Sequence, residues 1–284
     1  MPVAFVPLWA TGFIGAKYGL PYAEPFTFLS LRYAFVIGLV CLAILWLKPS
    51  RLGRAEIGAS LTIGILTHAG YLGAVFWAIS IGLSAGIAAI IVGLQPIATA
   101  LLAGMFLKER IGKRQWAGLG LGLLGVIAVL LPGLQAGVVE GINLTGVLAC
   151  IFGLFAITLG TLVQRAKAQN VPLWSGAFYQ YVGALLATLP FAILLETNEV
   201  TWTGEFVFAL LWLSVVLSIG AISLLVLMLR HGAASKVATQ FYLVPPVTAI
   251  IAYLMFDEQM TVIQLLGMAV AAAGVWLATR RRKA

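Results

Sequence analysis

Residues Leu83 to Leu130 return 149 positions later as Gly232 to Thr279, and this duplication restricts the folds open to the chain more than any other feature. Laid over each other without a gap, the copies share 12 identities in 48 positions, among them Ala85/Ala234, Pro96/Pro245, Thr99/Thr248, Glu109/Glu258, Gln115/Gln264 and Gly125/Gly274. Alanine and glycine coincide easily, but a proline, a threonine and a glutamate held in one register do not. Such self-similarity marks a repeated structural unit. Each copy reads as an apolar helix with a proline at its middle, a short polar hinge containing glutamate, and a second apolar helix rich in small residues.

Composition identifies the surroundings. Of the 284 residues 62% are hydrophobic and 9% charged, with a mean hydropathy of +1.07. A soluble domain carries about a quarter of its residues charged, so the chain is read as an all-α integral membrane protein in contact with the lipid bilayer. The net charge of +8 does not point to a nucleic-acid partner, because the basic residues sit in short loops and a terminal cluster, as membrane topology requires. Cys41 and Cys150 lie inside apolar runs, which suggests neither a disulfide framework nor a metal site, and no cofactor is expected. The N-terminus lacks the basic n-region of a signal peptide, so the first apolar run is kept as a span.

A helix needs about 20 apolar residues to cross the hydrocarbon core. On that ruler ten spans are predicted, at 3–20, 25–47, 57–80, 84–106, 115–132, 143–164, 172–195, 206–229, 234–256 and 261–279. Pro25 and Pro172 open the second and seventh, where a missing N–H costs nothing, and Thr261 with Gln264 has capping-box spacing. Charge supports the count, since cytoplasmic loops should hold Lys and Arg. With the N-terminus inside, 15 of the 17 basic residues fall in inner segments, from Lys48, Arg51 and Arg54 to the tail Arg280–Lys283. Seven of the nine acids (Glu24, Glu140, Glu196, Glu199, Glu205, Asp257 and Glu258) fall in outer loops, leaving Glu56 and Glu109 inside. Both termini are therefore expected to be cytoplasmic.

Five spans per half is an odd number, so the second half starts on the opposite side from the first and the halves are inverted. The expected organisation is a five-helix repeat over 1–132, an inverted five-helix repeat over 143–279, and a basic tail at 280–284. Inverted repeats are a recurring transporter plan, with substrate bound near mid-bilayer and access alternating between the faces.

The arrangement resembles the EamA type of the drug/metabolite transporter superfamily. The resemblance rests on Trp9, Pro25, Arg32, the run Ala85 to Pro96, Glu109 and the Gly-rich fifth span, with Pro172, Ala234, Pro245, Glu258 and Gly267 as second-half counterparts. It covers essentially the whole chain. It implies ten helices in two repeats, a central cavity lined by helices 1, 3, 4, 6, 8 and 9 with helices 5 and 10 at the periphery, and a multi-pass protein of the inner (plasma) membrane. It also implies export of amino acids or other small metabolites; some relatives carry aromatic amino acids, nucleotide sugars or drugs.

Arg32 lies seven residues into the second span, about 10 Å below its outer end at 1.5 Å per residue. A buried guanidinium costs about 2.5–3.5 kcal/mol at a helix centre, and two readings stand: a counter-charge for a substrate carboxylate or phosphate, or a partner of Glu24 or of backbone carbonyls. His68, in the third span, either gates or carries a proton or is a neutral imidazole bonded to a neighbouring helix. Lys17 sits where its stem snorkels to the headgroups. No Asp or Glu lies at mid-span, which ranks a cationic-drug antiporter, built by resemblance on a membrane-embedded carboxylate, below a carrier of neutral, zwitterionic or anionic solutes. Trp9, Thr11, Tyr71, Gln95, Gln180, Ser218, Gln240 and Tyr242, with Thr158 and Ser223, supply uncharged polar and aromatic groups at mid-depth. Each alone serves as interhelical glue as readily as substrate contact; together they outline a pocket for a small amphipathic solute.

Pro96 and Pro245–Pro246 break the fourth and ninth spans, leaving the carbonyls of Ile91 and of Gln240 through Phe241 short of partners; they are hinges beside a cavity or simple packing kinks. Gly118, Gly122 and Gly125, and Gly267, Ala271 and Gly274, give small-residue faces for close packing within a monomer or across a homodimer. Glu109 and Glu258 are expected to favour the N-terminal dipole of the helix that follows each. No Walker loop is present, so ATP is not the energy source. No HExxH helix or paired mid-membrane carboxylates suggest an enzyme. A channel is the remaining alternative.

Overall fold

The computed structural model describes residues 2–83, 88, 91–137, 144–256 and 261–279. Positions 84–87, 89 and 90 of the predicted fourth span, the Lys17 side chain, Glu140, Asp257, Glu258 and the predicted tail lie outside the described residues. The described chain is helical: α1 is Pro2–Gly19, α2 Pro25–Leu47, α3 Arg54–Ser80, α4 Gln95–Phe106, α5 Lys113–Gly137, α6 Leu144–Lys167, α7 Leu173–Leu195, α8 Gly204–His231 and α10 Val262–Thr279. The remaining helix, α9, is assembled from Ala234–Ala238, a 3-10 turn Thr239–Leu243, and Val244–Phe256. Among the described residues six helices (α2, α3, α6, α7, α8 and α10) are long and apolar enough to cross a membrane, while Val3–Gly12 and Gln95–Phe106 are shorter apolar helices.

Polar first turns extend several helices beyond the apolar runs. Helix α3 starts at Arg54 rather than 57, because Gly53 N–H donates to Glu56 Oε2 at 2.8 Å and closes the turn. Helix α8 starts at Gly204 rather than 206, with Thr203 Oγ1 accepting from Phe206 N–H at 3.2 Å. The Thr261/Gln264 capping box forms, Thr261 N–H donating to Gln264 Oε1 at 2.8 Å and Gln264 N–H to Thr261 Oγ1 at 3.3 Å.

Two features escape hydropathy. Helices α3 and α8 each contain a nine-residue π-helical segment, Ile65–Gly73 and Leu213–Ala221. They stand at nearly the repeat offset from each other, and π-turns concentrate at functional sites. The small-residue faces of α5 and α10 pack on one another within the monomer: a Cβ on Gly125 would lie 2.3 Å from Ala271 N, and one on Gly274 would lie 2.4 Å from Gly122 N. Helices α3 and α7 cross as closely, since a Cβ on Gly64 would meet Gln180 O at 1.8 Å and one on Gly183 would meet Leu61 O at 2.6 Å.

The acidic residues join the halves. Glu196 accepts from Phe26 N–H at 2.8 Å, Thr27 N–H at 2.6 Å and Thr27 Oγ1 at 2.7 Å, so a carboxylate at the end of α7 closes the start of α2. Glu24 Oε2 returns the contact, accepting from Thr197 N–H and Oγ1 at 2.7 Å each. Ala23 and Val200 form an isolated antiparallel bridge beside them. Tyr22 O–H donates to Glu205 Oε2 at 2.5 Å, and that bond raises the hydroxyl above its ordinary range.

Glu109 does not serve the helix after it. It accepts from Ala234 N–H at 2.8 Å, Ser235 N–H at 3.3 Å and Ser235 Oγ at 2.7 Å, closing the start of α9 in the other half. The two caps lie at opposite ends of the bundle, because α1 reaches from one to the other. Its Phe5 and Val6 pack with Leu229, Ala234 and Val237, whereas its terminal Gly19 rests on Phe28 near the start of α2. Removing such a cap costs about 1–2 kcal/mol. Glu196→Ala should lower stability by that order in reversible detergent unfolding, and an unchanged transition would show that the carboxylate does not hold the halves together.

Candidate functional site

The cavity at the centre is built from the π-segments outward. A π-turn widens the helix and turns its side chains off the regular stripe; in α3 it places Thr67, His68 and Tyr71, and in α8 Leu213 and Leu217, on one cavity wall. Trp9 and Gly12 of α1, Arg32 of α2 and Phe76 of α3 also line this chamber, around which about 690 Å³ is free of protein atoms when space open to the surroundings is counted. A second chamber, about 660 Å³ on the same count, shares Trp9, Tyr71 and Val75 with the first and is lined further by Gln95 and Pro96 of α4, Val126 of α5, and Phe241, Tyr242 and Pro245 of α9. The two adjoin at these shared, largely aromatic residues, which form a waist between them. Trp9 is fixed at that waist by edge-on contact with Phe241 (5.0 Å between centroids, 88°) and by Phe5 at 5.3 Å.

Arg32 is 4% exposed. Its Nε donates to Ser218 Oγ at 3.0 Å. Among the described residues no carboxylate pairs with it, and Glu24, the expected alternative partner, is taken by Thr197. Backbone carbonyls of the two π-segments anchor tyrosines around it: Tyr33 O–H donates to His68 O at 2.9 Å and Tyr181 O–H to Ser218 O at 2.8 Å. The His68 ring stacks on Tyr181, the neighbour of Gln180 in α7, at 4.6 Å and 15°. Gln180 Nε2 in turn donates to Gln164 Oε1 at 3.0 Å.

Four buried polar atoms have no hydrogen-bond partner among the described residues and belong to side chains on these walls: His68 Nε2, Gln95 Oε1 and Nε2, and Tyr242 Oη. Unsatisfied buried polar atoms cost about 1–3 kcal/mol each, so these four carry an unmet demand for a partner. The Tyr242 ring reaches its place through the absence of a side chain at Gly122, whose Cβ would lie 2.4 Å from the ring.

The predicted residues divide. Trp9, Arg32, His68, Tyr71, Gln95 and Tyr242 line the two chambers, with Pro96 and Pro245 beside the last two. Thr11 turns back to Leu8 O at 2.7 Å and accepts from Trp212 Nε1 at 3.1 Å. Gln180 and Ser218 line a separate cleft of about 430 Å³ between α7 and α8 that extends to Arg230, so Ser218 meets the central space only through Arg32. Gln240 is buried in the 3-10 turn of α9 and is not a wall residue. Pro246 is buried one position beyond Pro245.

The prolines do interrupt their helices, but two of the carbonyls expected to be free, those of Ile91 and Phe241, are occupied. Ile91 O accepts from Leu94 N–H at 3.1 Å, and Phe241 O from Val244 N–H, so each break tightens to three-residue turns. The resemblance implied walls from helices 1, 3, 4, 6, 8 and 9. Helix α6 contributes to neither chamber; α2, through Arg32, and α5, through Val126, do.

A helical membrane bundle around adjoining aromatic chambers with a few convergent polar groups has the build of a solute transporter rather than an enzyme. The EamA-like transporter family matches residues 3–131 and again residues 144–280. The chain belongs to that family. It is 25% identical to a probable amino-acid metabolite efflux pump of Salmonella typhimurium over 96% of this chain and 91% of that protein. Identity is again 25%, with the same coverage, to a probable amino-acid metabolite efflux pump of Escherichia coli. A probable terminal-alkyne amino-acid exporter of Streptantibioticus cattleyicolor is 29% identical over 69% of this chain and 65% of its own. A crystal structure of another protein shares the fold, with a TM-score of 0.80 over 98% of this chain and 95% of that one at 18% identity.

If Ser218 holds the guanidinium, Ser218→Ala should lower stability by about 1–3 kcal/mol, whereas Ser223→Ala, further along α8, should stay within about 0.5 kcal/mol. Equal effects in reversible detergent unfolding would remove the Arg32–Ser218 bond from this role.

Proposed function

We propose that this protein is a secondary transporter that exports amino acids or similar small metabolites across a bacterial inner membrane. In this reading ten spans form two inverted five-helix repeats, 1–132 and 143–279, with both termini cytoplasmic, and access to the central cavity alternates between the faces. The observation that carries it is the pair of adjoining chambers, one lined by the Arg32 guanidinium and the other by Gln95 and Tyr242, whose polar atoms have no partner among the described residues. The segregation of basic and acidic residues among the loops supports the topology, and the names of the exporters it resembles support the substrate class. Trp9, Tyr71 and His68 complete the proposed binding surface. Pro96, Pro245 and Pro246 are the proposed hinges; a multidrug or nucleotide-sugar carrier is the alternative.

Counterflow in proteoliposomes tests this directly. Vesicles preloaded with one unlabelled solute from a panel of amino acids, nucleotide sugars and organic cations should show saturable uptake of labelled amino acid. Uptake only with organic cations would overturn the substrate class, and linear conductance would make the protein a channel. With Arg32 as counter-charge, Arg32→Ala should weaken a carboxylate substrate at least about tenfold more than its amide, about 1.4 kcal/mol. Replacing Pro245 and Pro246 together by Ala should slow turnover with little change in half-saturating concentration; the reverse pattern would make them pocket residues.

A further inference from the structure

The two chambers differ in chemistry, and that difference specifies a solute. One end holds a cation: Arg32, one of whose guanidinium nitrogens is committed to Ser218 and which has no carboxylate partner among the described residues. The waist is aromatic and apolar, with Trp9, Tyr71 and Val75 common to both chambers. The far end is neutral yet polar. Gln95 offers a donor and an acceptor, and Tyr242 a hydroxyl, each side chain 1% exposed and each of these atoms without a partner among the described residues.

A purely apolar tail seated against Gln95 and Tyr242 would leave all three atoms unsatisfied and displace any water that served them. A tail ending in a hydroxyl or amide would satisfy them, and a site built to bond such a group discriminates strongly against an analogue lacking it. A charged tip is disfavoured, because among the described residues no counter-charge lines that chamber.

We infer that the two adjoining chambers act as one site for a two-pole solute: a carboxylate at the Arg32 end, an apolar body across the Trp9–Tyr71 waist, and an uncharged hydrogen-bonding tip read by Gln95 and Tyr242. The inference rests on the proposed reading of the cavity as the transport site, and makes Gln95 and Tyr242 the specificity determinants within it.

Calorimetric titration of the purified full-length protein tests it with two ligand pairs that differ only at the tip. Tyrosine and phenylalanine form one pair; 3-(4-hydroxyphenyl)propionate and 3-phenylpropionate, which lack the amine, form the other. In at least one pair the hydroxylated member should bind at least about tenfold more tightly. Tyr242→Phe and Gln95→Met, two conservative changes, should each compress that ratio to about twofold or less. Equal binding within both pairs, preference for the unsubstituted members, no binding of any of the four, or a ratio unmoved in both folded variants would overturn the inference. Counterflow of the same ligands separates it from the functional reading. Tip-selective binding without transport of either amino acid supports the two-pole site and removes amino-acid export; transport of both amino acids without tip selectivity does the reverse.

Discussion

A guanidinium buried in the apolar centre of a bundle governs much of what surrounds it. Arg32 is not neutralised by any carboxylate among the described residues, so its cost is met by dipoles, beginning with Ser218 Oγ at 3.0 Å. That bond has to be positioned, and the positioning explains the neighbours. Tyr181 ties down the Ser218 carbonyl, Tyr33 ties down the His68 carbonyl, and both carbonyls belong to π-segments that lack the regular ladder's geometry. The stacked His68 and Tyr181 rings fill the space between. A cation in hydrocarbon and two irregular helices are thus parts of one arrangement, each stabilising what would be unfavourable in the other.

Close backbone contact lets that arrangement stay rigid. Where α3 crosses α7 and where α5 lies on α10, even a methyl group would overlap backbone atoms of the opposite helix. Lipid gives helices no hydrophobic reason to associate, so close packing of small residues takes that place. Gly122 shows the effect reaching the cavity, since the bare backbone of α5 leaves room for the Tyr242 ring.

Much of this was legible in the chain. Apolar run lengths located most helices, because crossing a bilayer demands a length hydropathy reports directly. Arg32 stood out because charge at that depth is expensive, and Trp9, Gln95, Ser218 and Tyr242 because they share a depth, although Ser218 lines the neighbouring cleft. What was not legible depends on neighbours distant in sequence. Glu109 looks like a cap for the helix beside it and instead caps α9, 125 positions away. Thr11, Gln180 and Gln240 have the same chemistry as the wall residues, and only their rotational position removes them from the wall. The π-segments leave no trace in composition, since an apolar stretch wound at a different pitch remains apolar.

The exchange of carboxylates has a consequence for partial chains. Glu196 closes α2, Glu24 holds the segment after α7, and Glu109 closes α9, so every one of these bonds crosses from one half to the other. A polypeptide halted after its first half would display bare amides at the start of α2 and an arginine without its serine. Completeness is therefore written into the membrane-embedded product itself, as a chemical signature by which truncated chains differ from finished ones before any solute is offered.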